Sequence, residues 1–160
     1  MIKKYYSNVD VVTAARQRIK NIFETSPKIY LSISGGKDSI VMNDIIFKMC
    51  QSGEIDKSKL EVDFIDEEAI YPCVEQIVKN IRLQWLQIGV KFVWWCIEVK
   101  HFNCFNMLSN DESFICWDRF KKDVWVRQMP PFAVTNHELL RPRKDRYQEF
   151  LSRYTKTVFR

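Results

Sequence analysis

Apolar residues recur along this chain in two alternating rhythms, one with helical spacing and one of short unbroken runs. Residues 8–25, NVDVVTAARQRIKNIFET, place Val12, Ala15, Ile19, Ile22 and Phe23 on one helical stripe. Ser7 or Asn8 is placed to cap that helix, and Pro27 follows its end. KIYLSIS (28–34), LEVDFID (60–66) and KFVWWCIEV (91–99) are short and rich in β-formers, so each predicts a strand. Between them, DSIVMNDIIFKMC (38–50) turns Val41, Ile45, Ile46 and Met49 to one helical face, with Gly53 as its stop. CVEQIVKNIRLQWLQIG (73–89) turns Val74, Ile77, Val78, Ile81, Trp85 and Ile88 inward and ends at Gly89. Strand alternating with helix predicts an α/β fold around a parallel sheet. Crossovers in such sheets are right-handed, and ligands sit beyond the carboxyl ends of the strands. From residue 100 the pattern loses its period. A strand at VWVRQ (124–128) and a helix at 143–155, after Pro142, are the remaining expectations.

Composition adds boundaries. A chain of 160 residues with 46% apolar and 28% charged residues is long enough for one domain with a real core. It has no apolar run of about 18 residues. The opening MIKKYYSNVD lacks the apolar segment of a secretory signal. The five cysteines (Cys50, Cys73, Cys96, Cys104, Cys116) form no CxxC pair. These features predict a cytoplasmic protein whose cysteines are mostly buried small apolar residues. The net charge is +5. Residues 141–160 carry seven Lys or Arg against Asp145 and Glu149, which is also +5, so residues 1–140 balance to zero. The expected organisation is therefore a core domain at 1–140 and a basic segment at 141–160.

The chemistry concentrates in ISGGKDSIV (33–41), where a chain with four glycines sets two side by side between a strand and a helix. A helix start offers free N–H groups and a positive dipole end to an anion. Gly35 and Gly36 let the backbone turn sharply and approach a phosphate, with successive amides pointing into one concavity. Ser34 and Ser39 add hydroxyls and Lys37 a point charge. Asp38 would repel a bare phosphate but suits one bridged by Mg²⁺. The spacing matches neither GxxxxGK[ST] nor GxGxxG.

SGGKDS (34–39) is similar to the PP-loop of the ATP pyrophosphatases and of the adenylylsulfate/PAPS (phosphoadenosine phosphosulfate) reductase-like proteins. FIDEEAIYP (64–72) resembles that family's second strand with its acidic end. WWCIEV, NCFNM, CWD (116–118) and VWVRQMP (124–130) follow in order. They resemble the phage-borne, immunoglobulin-binding-regulator-like PAPS reductase proteins, and the likeness covers about residues 28–131. It implies a Rossmann-like sheet of the adenine nucleotide alpha hydrolase type, normally five-stranded, of which three strands and a fourth candidate at 124–128 can be placed in this sequence. It also implies ATP or PAPS with Mg²⁺. Ser34, Gly35, Gly36, Lys37, Asp38 and Ser39 would hold phosphates, Lys37, Asp38 and Asp66 would serve catalysis, and Asp38 would ligate Mg²⁺. An ATP-type member would cleave between the α and β phosphates. The short Glu-Cys-Gly-type motif of true reductases is absent, since Cys116 is the last cysteine. Thiosulfonate chemistry is therefore not expected.

Other residues carry two readings each. Within Asp63, Asp66, Glu67 and Glu68, Asp66 is best placed to face the nucleotide or its metal, against a solvated acidic turn. Arg127 can reach an anionic substrate group or a phosphate of the nucleotide bidentately, or form a structural salt bridge, for instance to Asp118 or Asp123. Asp118 contacts substrate or caps a turn, and Arg82 is expected in solvent. His101 and His137 signal no metal site, and Cys96, Cys104 and Cys116 fit no cluster spacing. Trp94, Trp95, Trp117 and Trp125 can stack on a base, against core packing or a covering loop as the favoured reading. Three functions remain open: an enzyme of the ATP pyrophosphatase/PAPS reductase-like kind, a nucleotide-binding regulator or half-domain needing a protein partner or self-association, and a nucleic-acid binder through residues 141–160. No membrane partner is expected.

Overall fold

A computed structural model describes residues 8–102 and 113–135. The chain divides into two compact units, Met1–Phe64 with Cys73–Phe92, and Ile65–Pro72 with Val93–Arg160.

The first unit opens with α1 (Val11–Thr25). Its cap is Asp10 and neither Ser7 nor Asn8: the Asp10 carboxylate accepts from Val12 N at 2.9 Å and Thr13 N at 3.0 Å. The Thr13 hydroxyl and these amides hold the Asp10 carboxyl below its usual range. Of the expected inward stripe only Phe23 is buried, while Val12 and Ile22 are half exposed. Periodicity marks which face turns inward, and α1 packs chiefly on one neighbour, α2, which leaves the stripe's outer edge in solvent.

β1 (Ile29–Ile33), α2 (Lys37–Gln51), β2 (Leu60–Ile65), α3 (Pro72–Gln87) and β3 (Lys91–Trp95) follow in the expected order. The result is α/β, with the strands in a three-stranded sheet of order β1-β2-β3. β1 and β2 are parallel, with Leu31 opposite Val62 and Ile33 opposite Phe64. Leu31, Ile33, Leu60, Val62 and Phe64 are buried. Burying each such side chain stabilises the fold by about 1.5–3 kcal/mol. α2 ends as expected: Glu54 N donates to Met49 O and Gly53 N to Cys50 O, which closes the last turn. α3 ends alike through Val90 N to Trp85 O and Gly89 N to Leu86 O. Buried Trp85 donates from its indole to buried Asn43 Oδ1 at 2.7 Å, tying α3 to α2.

The other β2 face is polar. Buried Glu61 lies 3.1 Å from Lys91 and 3.5 Å from Lys28. Asp63 accepts from Ser32 Oγ, its cross-strand neighbour, at 3.0 Å. Burial pushes the Asp63 carboxyl up to about 6; the Ser32 bond opposes this and Glu61 adds to it.

The expected strand at 91–99 divides. β3 stops at Trp95, and β4 (Val99–Phe102) pairs antiparallel with β5 (Ser113–Cys116). The stretch from Phe92 to Val99 is buried throughout, so hydrophobicity alone cannot mark the break. Backbone bonds do: Cys96 N donates to Val134 O and Val134 N to Trp94 O. The strand expected at 124–128 is absent. A single 3-10 turn (Lys122–Val124) stands there, because the Val126 amide is taken by a side chain, Glu68. The helix expected at 143–155 lies outside the described residues. No described helix is long and apolar enough to cross a membrane.

Trp85→Phe removes the donor to Asn43 and leaves a buried amide unpaired. Urea denaturation is expected to show a loss of about 1–3 kcal/mol, partly recovered in the Asn43→Leu/Trp85→Phe double variant. Asp63 yields a pH signature. The folded state keeps a proton that the unfolded chain releases between pH 3.8 and about 6, so stability falls as pH rises through that window. Asp63→Asn abolishes this fall. The variant's gain over the parent is expected to grow by up to about 3 kcal/mol from pH 4 to pH 7, read by urea titration at both.

Candidate functional site

The loop after β1 is built around one steric demand. Gly35 sits at φ +77°, and a Cβ there would stand 2.5 Å from Val74 Cγ1 and 3.2 Å from Val78 Cγ2 on α3. Position 35 therefore excludes any side chain, both by conformation and by space. Gly36 differs. Its φ is −77°, and a Cβ would meet only Ser34 Oγ at 3.4 Å. As the N-cap of α2 it offers no side-chain acceptor, so the first-turn amides of α2 lack a side-chain cap. The first helical bond is Ile40 N to Gly36 O, 3.0 Å.

The hydroxyls meet inside this loop. Ser39 Oγ donates to Gly36 O at 2.9 Å and accepts from Ser34 Oγ at 3.1 Å. Two further bonds are long: Ser34 N to Ser39 Oγ at 3.3 Å and Gly36 N to Ser34 Oγ at 3.4 Å. Bonds of that length are weak and cheap to exchange for a better acceptor. Lys37 and Asp38 are exposed, and neither enters an ion pair among the described residues. Ser34, Gly35 and Gly36 thus form the turn after β1, and Lys37, Asp38 and Ser39 the first turn of α2, in the first unit. For Mg²⁺, the fitting group here is the unpaired Asp38 carboxylate, since that ion commonly takes one or two carboxylates and fills its shell with phosphate oxygens and water.

Asp66 and Arg127, the other expected site residues, meet in the second unit as an ion pair, with Asp66 buried and Arg127 partly so. Arg127 pairs with Asp66 rather than with Asp118 or Asp123. Asp66 Oδ1 accepts from Arg127 Nη2 and from Glu68 N. Its Oδ2 accepts from Trp94 Nε1 at 2.7 Å and from Cys96 Sγ at 3.7 Å. Its carbonyl takes the Trp117 indole N–H at 2.7 Å. Asp66 is 1% exposed, so it is no solvated turn. Glu68, which nothing in the sequence separates from Glu67, is equally engaged. Its carboxylate accepts from Trp117 N at 2.6 Å and Val126 N at 3.0 Å, and its carbonyl accepts from Arg127 Nε at 3.0 Å. Glu68 and Trp117 are the described non-glycine residues with positive φ, 65° and 52°. The Arg127 guanidinium also lies 5.1 Å from the Trp117 ring centroid.

Asp118 caps a turn, accepting from Phe120 N at 3.0 Å. Trp94, Trp95 and Trp117 are buried, and Trp125 packs edge-on to Trp117. Burial raises the thiol of Cys96, with Asp66 adding to it; it lifts Cys116 to about 12, with Glu68 and Glu67 adding, and Cys50 to about 11. These thiols stay protonated at neutral pH. Cys73 is exposed. No group of three metal-binding side chains occurs among the described residues. Cys104, His137 and residues 141–160 lie outside them.

The chain is similar to the Uncharacterized protein YbdN of Escherichia coli (strain K12), 32% identical over 130 residues. The match takes in 80% of this chain but 30% of that protein's length. No family model matches the chain, and no solved structure does.

Gly35→Ala is expected to lower stability by about 2 kcal/mol or more, since it adds a left-handed alanine to a clash. Gly36→Ala is expected to stay within about 1 kcal/mol of the parent. Thermal unfolding of the two variants checks the contrast.

Proposed function

We propose that this chain is an adenine-nucleotide-binding protein of the PP-loop, ATP pyrophosphatase/PAPS reductase-like kind, with the Rossmann-like sheet of that superfamily. The observation that carries the reading is the α2 N-terminus. Its first turn has no side-chain cap, it follows an obligatory glycine, and it is flanked by two hydroxyls, a lysine and an unpaired aspartate. Such amides attract the phosphates of ATP or PAPS. On phosphate binding, the long bonds of Ser34 N and Gly36 N to the serine hydroxyls exchange for phosphate oxygens. Lys37 supplies positive charge, and Asp38 would hold Mg²⁺, which neutralises phosphate charge when bound.

With ATP as substrate, an acceptor oxygen attacks the α-phosphorus. The bond to the bridging oxygen breaks, and pyrophosphate leaves with the electron pair. The loop contributes positioning and charge. Asp66 serves as a positioning residue, holding Arg127 in place, because its own oxygens are already bound. That same engagement favours a second reading, a nucleotide-binding regulator or half-domain without turnover.

Calorimetric titration with ATP and Mg²⁺ tests the proposal. Lys37→Ala and Asp38→Ala are each expected to weaken binding at least about 10-fold, which is about 1.4 kcal/mol, with unchanged circular dichroism. The Asp38→Ala loss should vanish when EDTA replaces Mg²⁺. Equal affinity of both variants and the parent for ATP would overturn the reading. Pyrophosphate release by the isolated chain separates the enzyme from the regulator.

A further inference from the structure

We propose that Val74 on α3, backed by Val78, is a positioning residue for the glycine turn: it sets where the first amides of α2 stand without touching the ligand. The role rests on the nucleotide reading for the ligand's identity, and on packing within the first unit for its geometry.

Val74, Val78, Ile81 and Trp85 follow helical spacing, so they lie along one face of α3. Trp85, at one end of this stripe, holds the middle of α2. Its indole donates to Asn43 Oδ1 at 2.7 Å, and its ring meets Phe47 edge-on with centroids 5.0 Å apart. Val74 and Val78, at the other end, meet the backbone just before α2 begins. A Cβ at position 35 would stand 2.5 Å from Val74 Cγ1 and 3.2 Å from Val78 Cγ2. The Gly35 Cα is one bond further off, so it lies within about 4 Å of Val74 Cγ1, near the optimum for two carbons. The contact is therefore with main chain, beside the Gly36 cap, and not with a side chain that could rotate away. The valines are stiff as well. In a helix valine has essentially one χ1 rotamer, and Val78 is fully buried. The turn's own restraints are weaker: Gly36 N reaches Ser34 Oγ at 3.4 Å and Ser34 N reaches Ser39 Oγ at 3.3 Å. A turn held loosely from within and firmly from α3 takes its position from α3. A binding group left without such support loses its geometry, and with it affinity.

Two measurements on the full chain test this: calorimetry with ATP and Mg²⁺, and amide hydrogen exchange without ligand. Val74 is half-buried, so trimming it disturbs the core less than trimming Val78. Val74→Ala is expected to weaken ATP binding about 5-fold or more. It should also speed exchange of the Ile40 amide, which makes the first helical bond to Gly36 O, by about 5-fold or more. Val74→Thr keeps both γ atoms and should stay within about 2-fold of the parent in both readouts. Ile81→Val trims the same stripe away from the turn. It should lower the unfolding temperature yet leave both readouts within about 2-fold of the parent. The proposal is overturned if either readout in Val74→Ala matches the parent, or if Val74→Thr loses as much as Val74→Ala. It is equally overturned if Ile81→Val moves both readouts as far as Val74→Ala does, since the effect then follows stability and not position. Should the parent itself fail to bind ATP, the nucleotide reading falls, and the exchange comparison alone decides whether Val74 sets the turn.

Discussion

A methyl group at position 35 would stand 2.5 Å from Val74 Cγ1, and much of the first unit follows from its absence. The chain must leave β1, pass against α3 and start α2 within three residues. Only a left-handed glycine in contact with a valine pair allows that path. The close passage brings α2's first turn to the end of β1 with its amides uncapped. The same contact that packs the unit thus leaves the first-turn amides without a side-chain cap. Helix packing and the uncapped start of α2 have one steric origin here.

The second unit solves a different problem. Asp66 and Glu68 place two carboxylates out of water, which is expensive unless every lone pair finds a donor. The donors come from Trp94, Cys96, Trp117, Val126 and Arg127. The acidic tripeptide after β2 is therefore an anchor for the 117–127 segment. Buried ion pairs add little net stability over apolar packing, but losing one partner is costly. That asymmetry ties the segment to one arrangement.

Local signals were readable along the chain and long-range ones were not. The three strand starts, the bounds of α2 and α3, and the stops at Gly53 and Gly89 all lay in patterns of a dozen residues. The glycine loop was legible because its residue types make chemical sense only together. Ser7, Asn8 and Asp10 are all good caps, and propensity does not choose between them. The break after Trp95 was hidden by continuous burial on both sides of it. The Asp66–Arg127 pair was out of reach, since 61 residues separate the partners and no short pattern links them. Arg127 and the acidic run are each visible in the sequence, but their pairing is a tertiary fact. Glu68 and Glu67 look alike in sequence, yet one is buried and the other exposed.

The bond between Glu68 and Trp117 joins two left-handed residues that both carry side chains. Glycine is the residue such backbones ordinarily favour, and it would relieve about 1 kcal/mol or more at either position. At 68, however, glycine would discard the carboxylate that satisfies two amides. At 117 it would discard the indole that meets Asp66 and Arg127. Backbone comfort and side-chain duty thus pull in opposite directions at both ends of one hydrogen bond. Drift toward the conformationally easiest residue is self-defeating there, and consensus-style stabilisation of this chain should leave the two positions alone.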